Sequence, residues 1–212
     1  MTTKTARLIC AALCTAIFAA PALAYDIPEA TLDFRRAQTA ISEGNYGKAI
    51  PILREFANGG NASSQWILGD LYKNGTGVVK DLELAAMWYQ KALSEAPAKI
   101  PANPPEPETT EKDDWAVALL RLRKLRTMCP AITATLGAMH LQGQGLAKDP
   151  VEAYKWFELA RSYGHPKAFF LKEFVAQSLD EDEIAEGEDR AEVWQKEHAK
   201  YDDLVLSDFS LN

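Results

Sequence analysis

One segment of this chain occurs twice, the second copy 68 residues after the first. Leu68, Gly69, Gly75, Gly77, Lys80 and Asp81 recur as Leu136, Gly137, Gly143, Gly145, Lys148 and Asp149. Further on, Ala85, Trp88 and Ala92 recur as Ala153, Trp156 and Ala160. Self-similarity at a fixed spacing marks a repeat array, in which each unit buries its apolar face on its neighbours. Such arrays present surfaces rather than one deep catalytic cavity.

The periodicity within the copies is helical. No segment sustains a two-residue alternation with β-branched enrichment, so the predicted class is all-α. Helix pairs are expected at 29–43 with 46–58, at 62–73 with 82–96, at 132–141 with 150–163, and at 166–177 with 182–200. Gly75 and Gly77 supply turn conformations that other residues resist. Asp81 and Asp149 are placed to cap the helices that follow, and Pro150 suits a first helical position. Between the second and third pairs, Pro101, Pro104, Pro105 and Pro107 fall in a polar stretch that no helix survives. An amphipathic helix is expected after it, at 111–128, with Trp115, Leu119, Leu122 and Leu125 on its apolar stripe and Pro130 as its end. Residues 97–128 thus read as an inserted linker plus helix. The charged last helix suits a terminal cap, followed by a tail at 201–212.

The first 24 residues read as a removable secretory signal. Lys4 and Arg7 precede an apolar run at 8–20, and Ala22-Leu23-Ala24 offers a small-x-small cleavage site before Tyr25. Ile9 and Leu13 stand before Cys10 and Cys14, which does not fit a lipoprotein signal. The expected location is periplasmic or secreted, with no membrane-spanning segment in the mature chain. Cleavage removes two positive charges and moves the net charge from −7 to −9. A basic surface for nucleic acid is therefore not expected. Cys129 remains as the lone cysteine of the mature chain, which precludes an intrachain disulfide, and it is expected to be buried.

These residues resemble the Sel1-like repeat (SLR) family, a branch of the tetratricopeptide superfamily. The first copy matches its pattern at Gly60, Ser64, Leu68, Gly69, Tyr72, Gly75, Gly77, Val78, Asp81, Ala85, Trp88 and Ala92. The second copy departs at Ile132, where a small residue is usual, and at His140, where Tyr is usual. The last pair loses the pattern, with Lys172 and Glu173 in place of Leu-Gly. The resemblance implies a right-handed α-solenoid of antiparallel helix pairs whose first helices line a concave face. It also implies an adaptor that binds a protein or peptide. Some exported members have been linked to β-lactam binding or hydrolysis, which gives the alternative of an enzyme-like cell-wall binder.

The chemistry of the residues favours the adaptor. The Gly75-Thr76-Gly77 and Gly143-Gln144-Gly145 pairs follow helices and lack the lysine of a phosphate loop. His140, His165 and His198 are not at metal-ligand spacing. The acidic run from Asp180 to Glu183 lacks the glycine and final glutamate of an EF-hand, though Glu186 and Asp189 suit a basic partner. The mature chain has no Ser-x-x-Lys. No catalytic residue, metal or cofactor is expected. Trp88 and Trp156, at equal positions, read as scaffold. Helical phase in the first helices puts Trp66, Asp70 and Lys73, Ala134 and Ala138, and Phe170 and Phe174 on one strip. That strip is the expected groove for an extended peptide, with Ala138 at an exposed floor position. The helix at 111–128 is expected either to plug that groove or to form an outer arm for a partner or for self-association.

Overall fold

The computed structural model describes residues 29–94, 96–97 and 112–202. The signal segment 1–24, the proline stretch, the tail from 203 on, and the side chains of Trp115 and Leu119 lie outside the described residues. Among those described, the chain forms eight α-helices and no strand. They are α1 (Glu29–Ser42), α2 (Tyr46–Asn58), α3 (Ala62–Asn74), α4 (Leu82–Leu93), α5 (Lys112–Gln142), α6 (Pro150–Ser162), α7 (Ala168–Ala176) and α8 (Glu181–His198). A 3-10 turn, Ala199–Tyr201, follows. No helix among the described residues is long and apolar enough to cross a membrane.

Capping sets where most second helices begin. The Asp81 and Asp149 carboxylates accept from the backbone N–H groups of Leu84 and Glu152, each at 2.9 Å. Asp180 and Glu183 cap α8 reciprocally. Each such bond satisfies one of the orphan donors of a helix start. α1–α2, α3–α4 and the C-terminal part of α5 with α6 form antiparallel pairs, and α2–α3 and α4–α5 join them.

The motif glycines make these joints close. A Cβ on Gly69 would stand 2.5 Å from Cε1 of the Tyr89 ring, and one on Gly137 would stand 2.6 Å from Cε1 of Phe157. The Leu-Gly of the repeat therefore lets an aromatic ring of the second helix lie on the backbone of the first. Gly77 closes on Tyr46, the first residue of α2, and Gly145 closes on Leu82, the first residue of α4. The same joint thus recurs on both sides of the insertion, and the stack runs through without a break.

The helix does not end at Pro130. α5 runs without interruption from Lys112 to Gln142, so the inserted helix and the first helix of the third pair are one element. Proline removes an N–H and crowds the carbonyl four residues back, which commonly breaks a helix. Here packing outweighs that cost. Met128, Cys129, Ile132 and Leu136, on both sides of the proline, are all buried in the main core. The Thr133 hydroxyl donates to the Cys129 carbonyl at 2.7 Å, and the Thr127 hydroxyl donates to the Arg123 carbonyl at 2.8 Å. Continuity also explains Ile132. Its counterpart Ser64 sits in a helix start and donates to Asn61 Oδ1 at 3.0 Å. Position 132 is mid-helix, needs no such partner, and carries an apolar side chain.

The last two helices do not form a pair. α7 and α8 each pack on α6 rather than chiefly on one another. A Cβ on Gly187 would stand 2.7 Å from the Tyr154 ring, so α8 lies close along α6. Trp194 meets Trp156 and Tyr163 edge-on, with ring centres 6.4 and 6.1 Å apart. Arg190 clasps Asp149 Oδ2 at 3.2 Å and Glu152 Oε2 at 3.1 Å. With Gly187, Ala191 and Trp194 buried and the opposite face in water, α8 closes the stack.

Candidate protein-interaction surface

The residues of the expected strip fall into three environments. Trp66 is half-buried and packs against the main core. Asp70 and Lys73 come together with a residue of α4. The Tyr89 hydroxyl donates to Asp70 Oδ1 at 2.6 Å, and Lys73 Nζ lies 3.5 Å from the same oxygen and 5.8 Å from the Tyr89 ring centre. Burial, and then the Asp70 carboxylate, push the Tyr89 phenol well above its ordinary value. This charged pair is partly committed to its own helix pair.

Ala134 and Ala138 are half-buried on α5. Ala138 is not an open floor, because it packs against the small core cluster of Ala153, Tyr154, Phe157 and Val175. The second repeat has changed two positions together. Ala138 stands where Asp70 stood and Phe157 where Tyr89 stood, so the buried hydroxyl and its acceptor are both gone. Removing both partners of a buried hydrogen bond avoids leaving either one unsatisfied.

Phe170 and Phe174 are 71 and 63 % exposed on α7, and Phe169 beside them is 56 % exposed. Phe169 and Phe170 meet edge-on at 5.6 Å between ring centres. Three exposed aromatics on one nine-residue helix leave an apolar face that folding does not use. Sequence reasoning found two of them by repeat position. It missed Phe169, which falls outside that register, although the Phe169-Phe170 doublet itself was the available signal.

The sequence left the placement of α5 open between the groove and an outer arm. Leu122, in its N-terminal half, is 1 % exposed, and Leu125 packs on the main core. Lys124 Nζ stands 5.4 Å from the ring centre of Phe34 on α1. α1 and α3 end at Ser42 and Asn74, which sets Phe34 in register with Trp66. α5 also touches α3. Its N-terminal half therefore returns along the first helices and covers part of the side on which the strip was placed. The signal was the apolar stripe itself, but amphipathicity gives no address.

The altered interface before the third pair is visible in side chains. Tyr72 accepts from Arg54 of α2 at 2.7 Å. Its counterpart His140 turns to its own loop, with Nδ1 3.2 Å from the Ala147 carbonyl oxygen. Cys129 is buried, which pushes its thiol up to about 12. Trp88 and Trp156 are buried at equal positions, each beneath a lysine ammonium, Lys91 at 4.8 Å and Lys155 at 4.6 Å from the ring centre. Both belong to the scaffold rather than to an open surface.

The Sel1 repeat family matches residues 62–96 and 135–165. These spans hold both copies of the loop and both aromatic-on-glycine joints. The chain carries two Sel1 repeats. Sel1 repeats are generally found in non-enzymatic interaction scaffolds. The fold of the chain is similar to that of a protective antigen of uropathogenic Escherichia coli with an SLR fold. The TM-score is 0.59 at 19 % identity, covering 84 % of this chain and 32 % of the antigen. A Sel1 repeat protein from Oxalobacter formigenes is 28 % identical over 68 % of this chain and 87 % of its own, with a TM-score of 0.47. In sequence, the chain is 26 % identical over 180 residues to an exopolysaccharide production negative regulator of Rhizobium leguminosarum bv. viciae. That match covers 73 % of this chain and 64 % of the regulator, so the chain spans less than two thirds of that relative.

Proposed function

We propose that this Sel1-repeat protein is an exported scaffold, periplasmic or secreted, which binds a protein or peptide and catalyses nothing itself. The exposed phenylalanine face of α7 carries the reading. Exposed aromatics set on a rigid helix suit an extended or helical peptide, since they offer large contact area at small entropic cost. Asp70 and Lys73, half exposed further along the first helices, supply charge to orient it. The half of α5 that lies over the first helices narrows the binding region toward α7. A regulatory role by binding agrees with the description of the Rhizobium relative as a negative regulator.

Panning a phage-displayed peptide library against the purified protein tests the reading. The expected result is enrichment of peptides whose binding is lost with Phe170→Ser and Phe174→Ser and kept with Lys48→Glu. Enrichment indifferent to both phenylalanines, with thermal melting unchanged, would remove α7 from the site. Export is tested by the intact mass of the protein recovered from the producing cell. A mass that begins at Tyr25 supports it, and one that retains residues 1–24 or carries a lipid does not.

A further inference from the structure

The two ends of the stack differ in charge and shape. At the first end, α1 and α2 border a hollow of about 610 Å3. Ala40, Pro51 and Ile52 give it an apolar floor, and at its rim the exposed Arg35, Lys48 and Arg36, the last paired with Asp33, outnumber Glu43. The hollow has a cause in register. Positions that α3 fills with buried Leu68, Leu71 and Tyr72 hold Arg36, Thr39 and Ala40 in α1. The bulky apolar groups that close the joint between α2 and α3 are absent from the outer face of α1.

At the other end lies α8, with eight acidic residues against two of lysine and arginine. It therefore holds six of the chain's seven net negative charges. One flank repeats at helical spacing, with Glu186, Asp189, Val193 and Glu197 about a third of a turn from the buried Gly187, Ala191 and Trp194. Val193 is 53 % exposed, with the Asp189 and Glu197 carboxylates on either side along the helix and Glu186 already paired with Arg190 at 2.6 Å.

We infer that α8 of one copy seats in the α1–α2 hollow of a second copy of this chain. Val193 enters the apolar floor while Asp189 and Glu197 face Arg35 and Lys48. The acid–Val–acid stripe matches a mainly cationic rim around an apolar floor. The contact joins different patches on the two copies, so it is heterologous and propagates into a ring or an open chain. Its charge pairs sit at the rim, so it weakens as salt rises.

Sedimentation velocity over a concentration series, at low and high salt, reads this out. The wild-type protein is expected to grow in mass with concentration at low salt. Arg35→Glu with Lys48→Glu blocks one end, and Asp189→Lys with Glu197→Lys blocks the other. Each double variant alone is expected to weaken association by roughly tenfold or more, since opposed rim charges become like charges. An equal mixture of the two restores complementary ends and is expected to recover association. All four side chains are exposed, and unchanged melting curves confirm folding. A wild-type protein that stays monomeric, association indifferent to both variants, or a mixture that does not recover overturns the inference. None of these outcomes bears on peptide binding at α7.

Discussion

The ammonium of Lys124 lies 5.4 Å from the centre of the Phe34 ring, which ties α5 to the helix that opens the described chain. The same α5 supplies the first helix of the third pair. One element thus spans the stack from its third pair back to its first. The insertion strengthens the scaffold and covers one stretch of first-helix surface, leaving the α7 end open.

Continuity of α5 makes an unusual forecast for its proline. Pro130→Ala restores a backbone donor to the Arg126 carbonyl and relieves the ring's crowding, against the loss of some buried ring surface. Proline in a helix interior costs about 3 kcal/mol relative to alanine, and a net gain of about 1 kcal/mol is expected, which is roughly 2–4 °C for a chain of this size. Circular dichroism melting checks it. A lower midpoint with less helix would mean that Pro130 marks a real boundary.

Asp70 and Tyr89 are predicted to be energetically coupled. Asp70→Ala or Tyr89→Phe alone breaks a bond to a charged group worth about 1.5–3 kcal/mol. The double change reproduces the Ala138 and Phe157 arrangement that the second repeat already uses. It is expected to cost clearly less than the two single losses added together. Urea denaturation of the four proteins gives the coupling; simple additivity would show that the bond contributes nothing.

Gly137→Ala should destabilise the fold even though alanine is the better helix former by about 1 kcal/mol. The new methyl meets the Phe157 ring at 2.6 Å, and overpacking of this kind costs about 1–3 kcal/mol. Phe157→Leu in the same chain should recover part of the loss. A stabilised Gly137→Ala would show that the ring does not lie on the backbone.

Cys129 sets a pH dependence. Burial raises its thiol from an ordinary value of 9.0 to about 12. Between those values the unfolded chain has released a proton that the folded chain still holds. Stability therefore falls as pH rises from about 9 toward 12, by up to roughly 1.4 kcal/mol per unit from this group. Urea midpoints across that range, compared with Cys129→Ala, isolate the contribution. The same burial predicts no reaction with a thiol reagent at neutral pH until the protein is unfolded.

Much of the fold was readable because the repeat signals are local. α2 and the starts of α3, α4 and α6 fall where Asp81, Asp149 and the apolar period place them. The end assigned at Pro130 followed a local rule that burial of Cys129 and Ile132 overrode. The strip was only partly readable. Helical phase found Phe170 and Phe174, but the hydrogen bond from Tyr89 to Asp70 spans two helices, and the packing of Ala138 depends on the cluster around Phe157. Such contacts are fixed by how elements meet rather than by spacing within one of them. α8 was foreseen as a cap, yet its seat on α6 depends on Gly187 meeting Tyr154, which no repeat motif announces.

Hydrogen exchange read by mass spectrometry tests the scaffold reading most directly, with the protein alone and saturated with a peptide selected by panning. The account predicts slowed exchange in α7 and in the facing part of α5, with α8 and the α1–α2 hollow unchanged. Protection confined to α8 or to α1 and α2, with none in α7, would contradict it.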